Sequence, residues 1–224
     1  MSPESGFDPA SARADMVERQ LRARGITDER VLAAMGRVPR ERFVAPELRE
    51  QAYEDGALPI GHGQTISQPW VVAAICQALA LTGSERVLDV GAGSGYSSAV
   101  LAELAREVLA VELIEALARR ARRVLAELGY GNVEVREGDA SAGVPGEGPF
   151  DAIAVHAAAP RVPAGLIAQL RTDGRLVAPI ASRGADLLTV FRRVDEGGDR
   201  AELERQVIAP CRFVPLRGAG GYNG

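Results

Sequence analysis

Lysine is missing from this 224-residue chain: all 26 basic side chains are arginine. No lysine nucleophile or Schiff base is therefore available. The bias reads as a coding preference rather than a functional feature. Cysteine occurs only at Cys76 and Cys211, with no C-x-x-C pair, which excludes a disulfide framework and a thiolate metal site. Cys76 lies in an apolar helical stretch and reads as a small core residue. Histidine is limited to His62 and His156, and no Ser-His-Asp order marks an activated hydroxyl. No apolar run approaches the roughly 18 residues of a membrane span. No basic start leads into an apolar stretch, so no signal peptide is expected and a reducing cytoplasm is the expected location. The net charge of −4 leaves no surplus of cations for phosphate contacts, so no nucleic-acid partner is expected. No metal site, internal repeat or low-complexity segment is found.

What is present is ordinary in bulk: 46% hydrophobic and 25% charged residues, as in a globular protein with one sizeable core. Residues 1–9 lack periodicity and read as frayed. A helix is expected over 10–24, with Met16, Val17 and Leu21 on one face and Gly25 ending it. Thr27 is the expected N-cap of the next helix, which presents Val31, Leu32 and Met35. Pro39, Pro46 and Pro59 break the following stretch into short pieces. Ser67, then Gln68-Pro69, opens a helix bearing Val71, Val72, Ile75, Leu79 and Leu81.

From Arg86 onward, strands near 86–90, 107–111, 133–137, 150–155 and 174–180 alternate with helices near 95–104, 114–128 and 163–170. The alternation predicts an α/β fold: a doubly wound, Rossmann-like parallel sheet with helices on both faces. Strand-like segments at 187–191 and from 206–208 through 213–214, with a turn at Asp195–Asp199 between them, predict a C-terminal antiparallel hairpin. Residues 1–82 are expected to form a helical cap with a polar loop, and 83–224 the core, of one domain.

Val87, Leu88 and Val90 form a short buried strand that runs into Gly91-Ala92-Gly93-Ser94-Gly95-Tyr96. Glycines at such a turn permit positive φ and let a nucleotide-like ligand approach the backbone. The dinucleotide fingerprint wants a small residue where this chain has Tyr96, which argues against NAD. The G-x-G-x-G spacing resembles that of S-adenosylmethionine-dependent methyltransferases. Glu112 ends the second strand, about 20 residues past the glycines, where an acidic residue can accept from both ribose hydroxyls. Its plainer reading is an acid at the start of the next helix. Asp139, after the third strand, is expected near the adenine edge or as a turn residue.

A second segment, Ala57-Leu58-Pro59-Ile60-Gly61-His62-Gly63-Gln64-Thr65-Ile66-Ser67-Gln68-Pro69, carries the most specific likeness. Together with the glycine turn, Gly138-Asp139, Phe150-Asp151-Ala152-Ile153, Ala157-Ala158-Ala159-Pro160 and Phe213-Val214-Pro215-Leu216, it resembles the protein-L-isoaspartate O-methyltransferase family over nearly the whole chain. The resemblance implies S-adenosylmethionine as cofactor and damaged, isoaspartyl proteins and peptides as substrates, with repair as the outcome. It also implies a Rossmann-like methyltransferase fold, acting as a monomer. The family's catalytic serine falls on Ser67. Its cofactor contacts fall on Gln64, Thr65, Ile66, Ser67, Asp89, Gly91, Gly93, Gly95, Glu112, Leu113, Asp139 and Ala140. Its substrate contacts fall on Ile60, Gly61, His62, Ala157 and Ala158. One position departs: where the family usually has Thr, this chain has His156, a group that titrates near neutrality, at the border of the reaction site.

The chemistry suits these residues. A carboxylate with a pKa of about 4 is already ionised at neutral pH, so methylating it needs positioning rather than a general base. The Ser67 hydroxyl can donate to one oxygen of such a carboxylate; its alternative role is a plain helix N-cap, worth about 1 kcal/mol. Trp70 and Tyr96 read as packing aromatics. Two other readings remain: a methyltransferase acting on an amine or small molecule, and a non-catalytic S-adenosylmethionine-binding module. The first is disfavoured because His156-Ala157-Ala158-Ala159-Pro160 offers no side-chain carbonyl to hold an amine.

Overall fold

The computed structural model describes residues 6–194 and 202–222 of the chain. The turn expected at 195–199 lies outside them. Helix α1 (Pro9–Asp15) is N-capped by the Asp8 carboxylate, which accepts from the Ala10 amide. The helix then widens into a π-helical stretch, Met16–Leu21, and tightens into a 3₁₀ turn, Arg22–Arg24. The uniform helix expected over 10–24 is therefore replaced by three geometries. The reason is in the spacing: Met16 and Leu21, both fully buried, are i and i+5, and only the wide turn puts them on one face. Gly25 ends the run in the left-handed conformation at φ 89°.

Helix α2 (Glu29–Arg37) is capped by Asp28, not by Thr27 as expected: Asp28 Oδ1 accepts from the Arg30 and Val31 amides. The Thr27 amide instead donates to the side chain of Gln77. The proline-broken stretch gives short 3₁₀ turns at Arg40–Arg42 and Pro46–Gln51. Arg40 is fully buried; its Nε donates to the Ala52 carbonyl and its guanidinium lies 4.8 Å from the centre of the Tyr96 ring.

The segment expected as a polar loop is a hairpin of β1 (Leu58–Gly61) and β2 (Gln64–Ile66). Its two-residue turn, His62-Gly63, has φ of 55° and 69°. Two positive φ values make a tight turn whose twist matches antiparallel strands. Ile60 is the extra residue of a bulge, since Pro59 pairs with Thr65 and Gly61 with Gln64.

Helix α3 (Pro69–Leu79) follows, then β3 (Arg86–Val90), α4 (Tyr96–Ala102), β4 (Glu107–Glu112), α5 (Glu115–Glu127), β5 (Val133–Glu137), β6 (Phe150–Val155), α6 (Ala164–Ala168), β7 (Leu170–Ala181), β8 (Asp186–Arg193) and β9 (Leu203–Cys211). The seven strands order as β5-β4-β3-β6-β7-β8-β9. Pairings from β5 to β7 are parallel, and β7–β8 and β8–β9 are antiparallel. Helix α6 is shorter than expected because Leu170 already pairs with Phe150. The last strand ends at Cys211, so Phe213 and Val214 lie outside it.

Strand residues alternate between two cores. Val87, Ala110 and Ala152 pack under α3, α4, α5 and the N-terminal helices, in a cluster that includes Leu21, Met35 and Ile75. Leu88, Leu109 and Ile153 face the other side, under Leu166 and Ile167 of α6 and the loop residues Ala140, Ala159 and Leu216. The chain leaves β3 in one direction for β4 and β5, then returns to β6 on the other side. Such a reversal opens a crevice at the carboxyl ends of the strands, where α/β sheets bind ligands. No described helix is long and apolar enough to cross a membrane.

Glycine matters most at Gly95, with φ 87° at the start of α4. A Cβ there would lie 3.1 Å from Ala121 Cβ and 3.2 Å from Leu125 Cδ1 of α5. Gly95→Ala is expected to destabilise the protein by about 2–4 kcal/mol, summing left-handed strain and overpacking. A denaturant melt of the variant measures this; an unchanged midpoint would mean that α5 simply moves aside.

Candidate active site

Backbone hydrogen bonds stitch the carboxyl ends of four neighbouring strands into one row. Gly91 N donates to Val111 O (2.9 Å), Gly138 N to Glu112 O (3.0 Å) and His156 N to Val90 O (2.9 Å). The residues that follow β3, β4, β5 and β6 therefore wall a single cavity of about 960 Å³, part of it open to solvent. Gly91 and Gly93 line it, with Glu112, Leu113, Asp139 and Ala140. Gln64, Thr65, Ile66 and Ser67 bring the hairpin to the same wall. The hairpin is seated by Ile60: a Cβ on Gly93 would stand 3.2 Å from Ile60 Cδ1, so glycine permits this close approach.

Glu112 is almost fully buried and does two structural jobs at once. Oε1 accepts from the Ile114 amide (2.9 Å), at the start of α5, and Oε2 from the Gly93 amide (2.8 Å). The carboxylate thus latches the glycine turn to the next strand at the wall of the cavity. Leu113 beside it is 46% exposed, an apolar side chain on the cavity wall available to a flat ring.

Asp139 holds the chain's C-terminal segment. Oδ1 accepts from the Ser141 amide and Oδ2 from the Ala219 amide, both at 2.8 Å. Burial alone would raise its pKa, but these hydrogen bonds, with one to the Ser141 side chain, hold the carboxyl below the ordinary range. The segment 214–217 closes the cavity over Ala157: Ala158 N donates to Val214 O and Leu216 N to Ala158 O, each at 2.8 Å. The likeness at Phe213-Val214-Pro215-Leu216 marked this segment but not its place over the cavity, because its contacts join positions far apart in sequence.

Several expected site residues lie elsewhere. Asp89 is fully buried beneath the glycine turn and does not line the cavity. Its Oδ2 accepts from the Ser97 and Ser98 hydroxyls at 3.2 and 2.6 Å. Gly95 faces α5. Ile60 is buried against the glycine turn, while Gly61 and His62 form the exposed hairpin tip. Of the expected substrate contacts, only Ala157 lines the cavity. His156, whose side chain is 7% exposed, lines it too.

A second cavity of about 760 Å³ opens beside the first. Arg24, Gln68, Trp70 and Pro210 to Val214 line it, and Thr65, Ser67, His156 and Val214 line both. Trp70 is half-buried and its Nε1 donates to the Arg24 carbonyl. Ser67 is half-buried and does not cap α3: Gln68 occupies the N-cap position, with no side-chain cap bond. Tyr96 is buried, packed edge-on to Phe43, and its hydroxyl is pushed up to about 12 by burial. Burial also raises the Cys76 thiol, which is consistent with an inert core residue.

Comparison with known proteins places the chain among relatives. Residues 11–220 match the family model described as protein-L-isoaspartate(D-aspartate) O-methyltransferase. A protein-L-isoaspartate O-methyltransferase of Syntrophus aciditrophicus (strain SB) is 50% identical, over 95% of this chain and 96% of that protein. Protein-L-isoaspartate O-methyltransferase 2 of Anaeromyxobacter sp. (strain Fw109-5) is 53% identical, over 95% of this chain and 86% of that protein. Among solved structures, a protein-L-isoaspartate O-methyltransferase superposes with a TM-score of 0.81 at 28% identity, covering 93% of this chain and 67% of that one. A putative one from Plasmodium falciparum, in complex with S-adenosyl-L-homocysteine, gives 0.77 at 25% identity, covering 92% and 98%. A family model over most of the chain, half-identical relatives along almost its full length and solved structures of the same fold leave one assignment: the chain belongs to the protein-L-isoaspartate O-methyltransferase family.

Proposed function

We propose that this protein transfers a methyl group from S-adenosylmethionine to the free α-carboxylate of L-isoaspartyl residues in damaged proteins and peptides. The observation that carries the reading is the junction of the two cavities at Ser67. One cavity has the features of a nucleoside site: a glycine turn, a carboxylate and an apolar wall. The other opens to solvent and has room for a peptide.

The residues fit the cofactor on the structure's own terms. Gly91 has φ 79°, and a Cβ there would meet nothing within 4 Å, so the space beside the turn is free for a ligand. Glu112 suits the ribose hydroxyls, Leu113 and Ala140 the faces of the adenine ring, and Asp139 its amino edge. When bound, S-adenosylmethionine supplies a methyl group on a sulfonium. The protein's task is to hold a carboxylate oxygen in line with it and to keep water out. Ser67 Oγ makes no hydrogen bond to the protein among the described residues, so it is free to donate to the substrate. No general base is needed, since the nucleophile is already an anion. Loss of water around the carboxylate and alignment with the methyl provide the acceleration.

The direct test is methyl transfer from labelled S-adenosylmethionine to a peptide pair that differs only in iso- versus normal aspartate. Stable methylation of an amine, or none at all, would refute the reading.

Glu112 gives a second check. Glu112→Ala is expected to weaken S-adenosylmethionine binding by about 1.5–3 kcal/mol, the range of hydrogen bonds to a charged group. The same substitution frees the Gly93 and Ile114 amides, so the ligand-free protein should also lose stability, by about 1–3 kcal/mol. Titration calorimetry and a thermal melt read the two effects separately. Unchanged affinity would remove Glu112 from the cofactor site.

A further inference from the structure

A methyl group that passes from the occupant of one cavity to the occupant of the other must pass the residues that wall both. These are Thr65, Ser67, His156 and Val214. Val214 has no polar side-chain atom. Ser67 is already assigned. Thr65 is exposed. The buried polar side chain at the junction is His156.

One edge of its ring faces a buried carboxylate. Nε2 lies 2.9 Å from Asp89 Oδ1, at ion-pair distance although out of line for a hydrogen bond. Neither atom has a hydrogen-bond partner among the described residues. Asp89 is itself anchored by Ser97 and Ser98 through Oδ2. This carboxylate is fully buried and does not reach the cavity wall, so the imidazole stands between it and the cavity. The other ring nitrogen, Nδ1, makes no hydrogen bond to the protein among the described residues. A ring with a carboxylate beside one nitrogen keeps the other nitrogen for the occupant of the cavity. A carboxylate is what the proposed substrate brings to this point.

We propose that His156 is a substrate-binding residue: its Nδ1–H donates to one oxygen of the isoaspartyl α-carboxylate, the oxygen that Ser67 also holds, and leaves the second oxygen free to attack. The assignment rests on the isoaspartyl reading above. Asp89 beside Nε2 and the substrate carboxylate at Nδ1 then flank the ring with two anions, and it pairs with both as the imidazolium. Charge-assisted bonds of this kind are short and directional, and they fix geometry as well as affinity. Asp89 acts through His156 as the group that orients the ring. The proton stays on the ring through the transfer, since the carboxylate becomes a neutral ester and only the methyl changes hands.

The test uses the full-length protein. His156→Leu, similar in bulk but without a donor, is expected to raise KM for an isoaspartyl peptide by about ten- to a hundred-fold, the value of a hydrogen bond to a charged group. Turnover and affinity for S-adenosylmethionine should change less. His156→Gln, which keeps an N–H donor, should recover part of the loss. An unchanged peptide KM in folded His156→Leu would overturn the proposal. So would loss of cofactor affinity with peptide KM untouched.

A measurement on the unaltered protein covers the case in which the leucine variant does not fold. The chain has two histidines, so its imidazole NMR signals are few. In the presence of S-adenosyl-L-homocysteine, adding the isoaspartyl peptide should move the His156 signals toward the doubly protonated form. The aspartyl peptide should not move them, and His62 at the hairpin tip should stay still. His156 signals that do not move at saturating peptide would overturn the assignment. If the unaltered protein transfers no methyl to the isoaspartyl peptide, the functional reading falls first and this assignment with it. If transfer is normal but His156 proves indifferent, only the assignment falls.

Discussion

With labelled S-adenosylmethionine, the protein should methylate an isoaspartyl peptide at least about a hundred-fold faster than the matching aspartyl peptide, since a misplacement of about 1 Å costs that much. The two isomers differ in where the carboxylate hangs from the backbone, by one methylene. A loose site would tolerate that difference. This site is not loose. The row formed by β3, β4, β5 and β6 is tied at its carboxyl ends by backbone hydrogen bonds. Glu112 latches the glycine turn, and Ile60 presses the hairpin against it. Ser67 follows directly on β2 of that hairpin, so its hydroxyl has little freedom to follow a displaced carboxylate. The product should be a base-labile ester, because an isoaspartyl methyl ester can close to a succinimide and release methanol. Released counts that are volatile after mild base, from the iso peptide alone, are the expected signature. Comparable rates on both peptides would show that the carboxylate position is not what the site reads.

Ser67→Ala should lower turnover ten-fold or more while leaving stability almost unchanged. On sequence alone the same residue could have been an N-cap, and its loss would then cost about 1 kcal/mol of stability. The structure removes that alternative, because Gln68 holds the N-cap position and the Ser67 hydroxyl caps nothing. The expected stability change is therefore within about 0.5 kcal/mol, as for a residue with no special structural task. The lost rate corresponds to one hydrogen bond to a charged group, about 1.5–3 kcal/mol. Single-turnover kinetics beside a chemical melt separate the two effects. A normal rate in the alanine variant would remove Ser67 from the reaction, and a large drop in stability would restore its role as a cap.

Much of this architecture was legible in the order of residues. Val87-Leu88-Asp89-Val90 and Val108-Leu109-Ala110-Val111 are apolar runs bounded by glycine or acid, and they are the central parallel strands. A strand buried on both faces needs such a run, whatever surrounds it. The glycine turn was legible for the same local reason. The hairpin at 58–66 was not, since its strands are short and Gly61, His62 and Gly63 look like loop. Two positive φ values at His62 and Gly63, which only a tight turn exploits, make it a hairpin. The π-helical turn at Met16–Leu21 was hidden too, because it exists to bury side chains against elements far along the chain.

The site divides in the same way. Groups that line its first cavity came from the sequence: Gly91, Gly93, Glu112, Asp139 and Ser67. Their arrangement did not. Asp89 was expected at the cofactor, but it lies under the turn, held by Ser97 and Ser98, with His156 in front of it. The second cavity combines Arg24 and Trp70 from the N-terminal half with Pro210 to Val214 from the end of the chain. The strap from Asp139 to Ala219 joins residues 80 positions apart. Local pattern encodes which backbone forms a strand, a turn or a helix, because those choices depend on neighbours within a few residues. Which side chain stands between a buried carboxylate and a cavity depends on how the sheet twists and which ends it brings together. That was decided only when the strands paired.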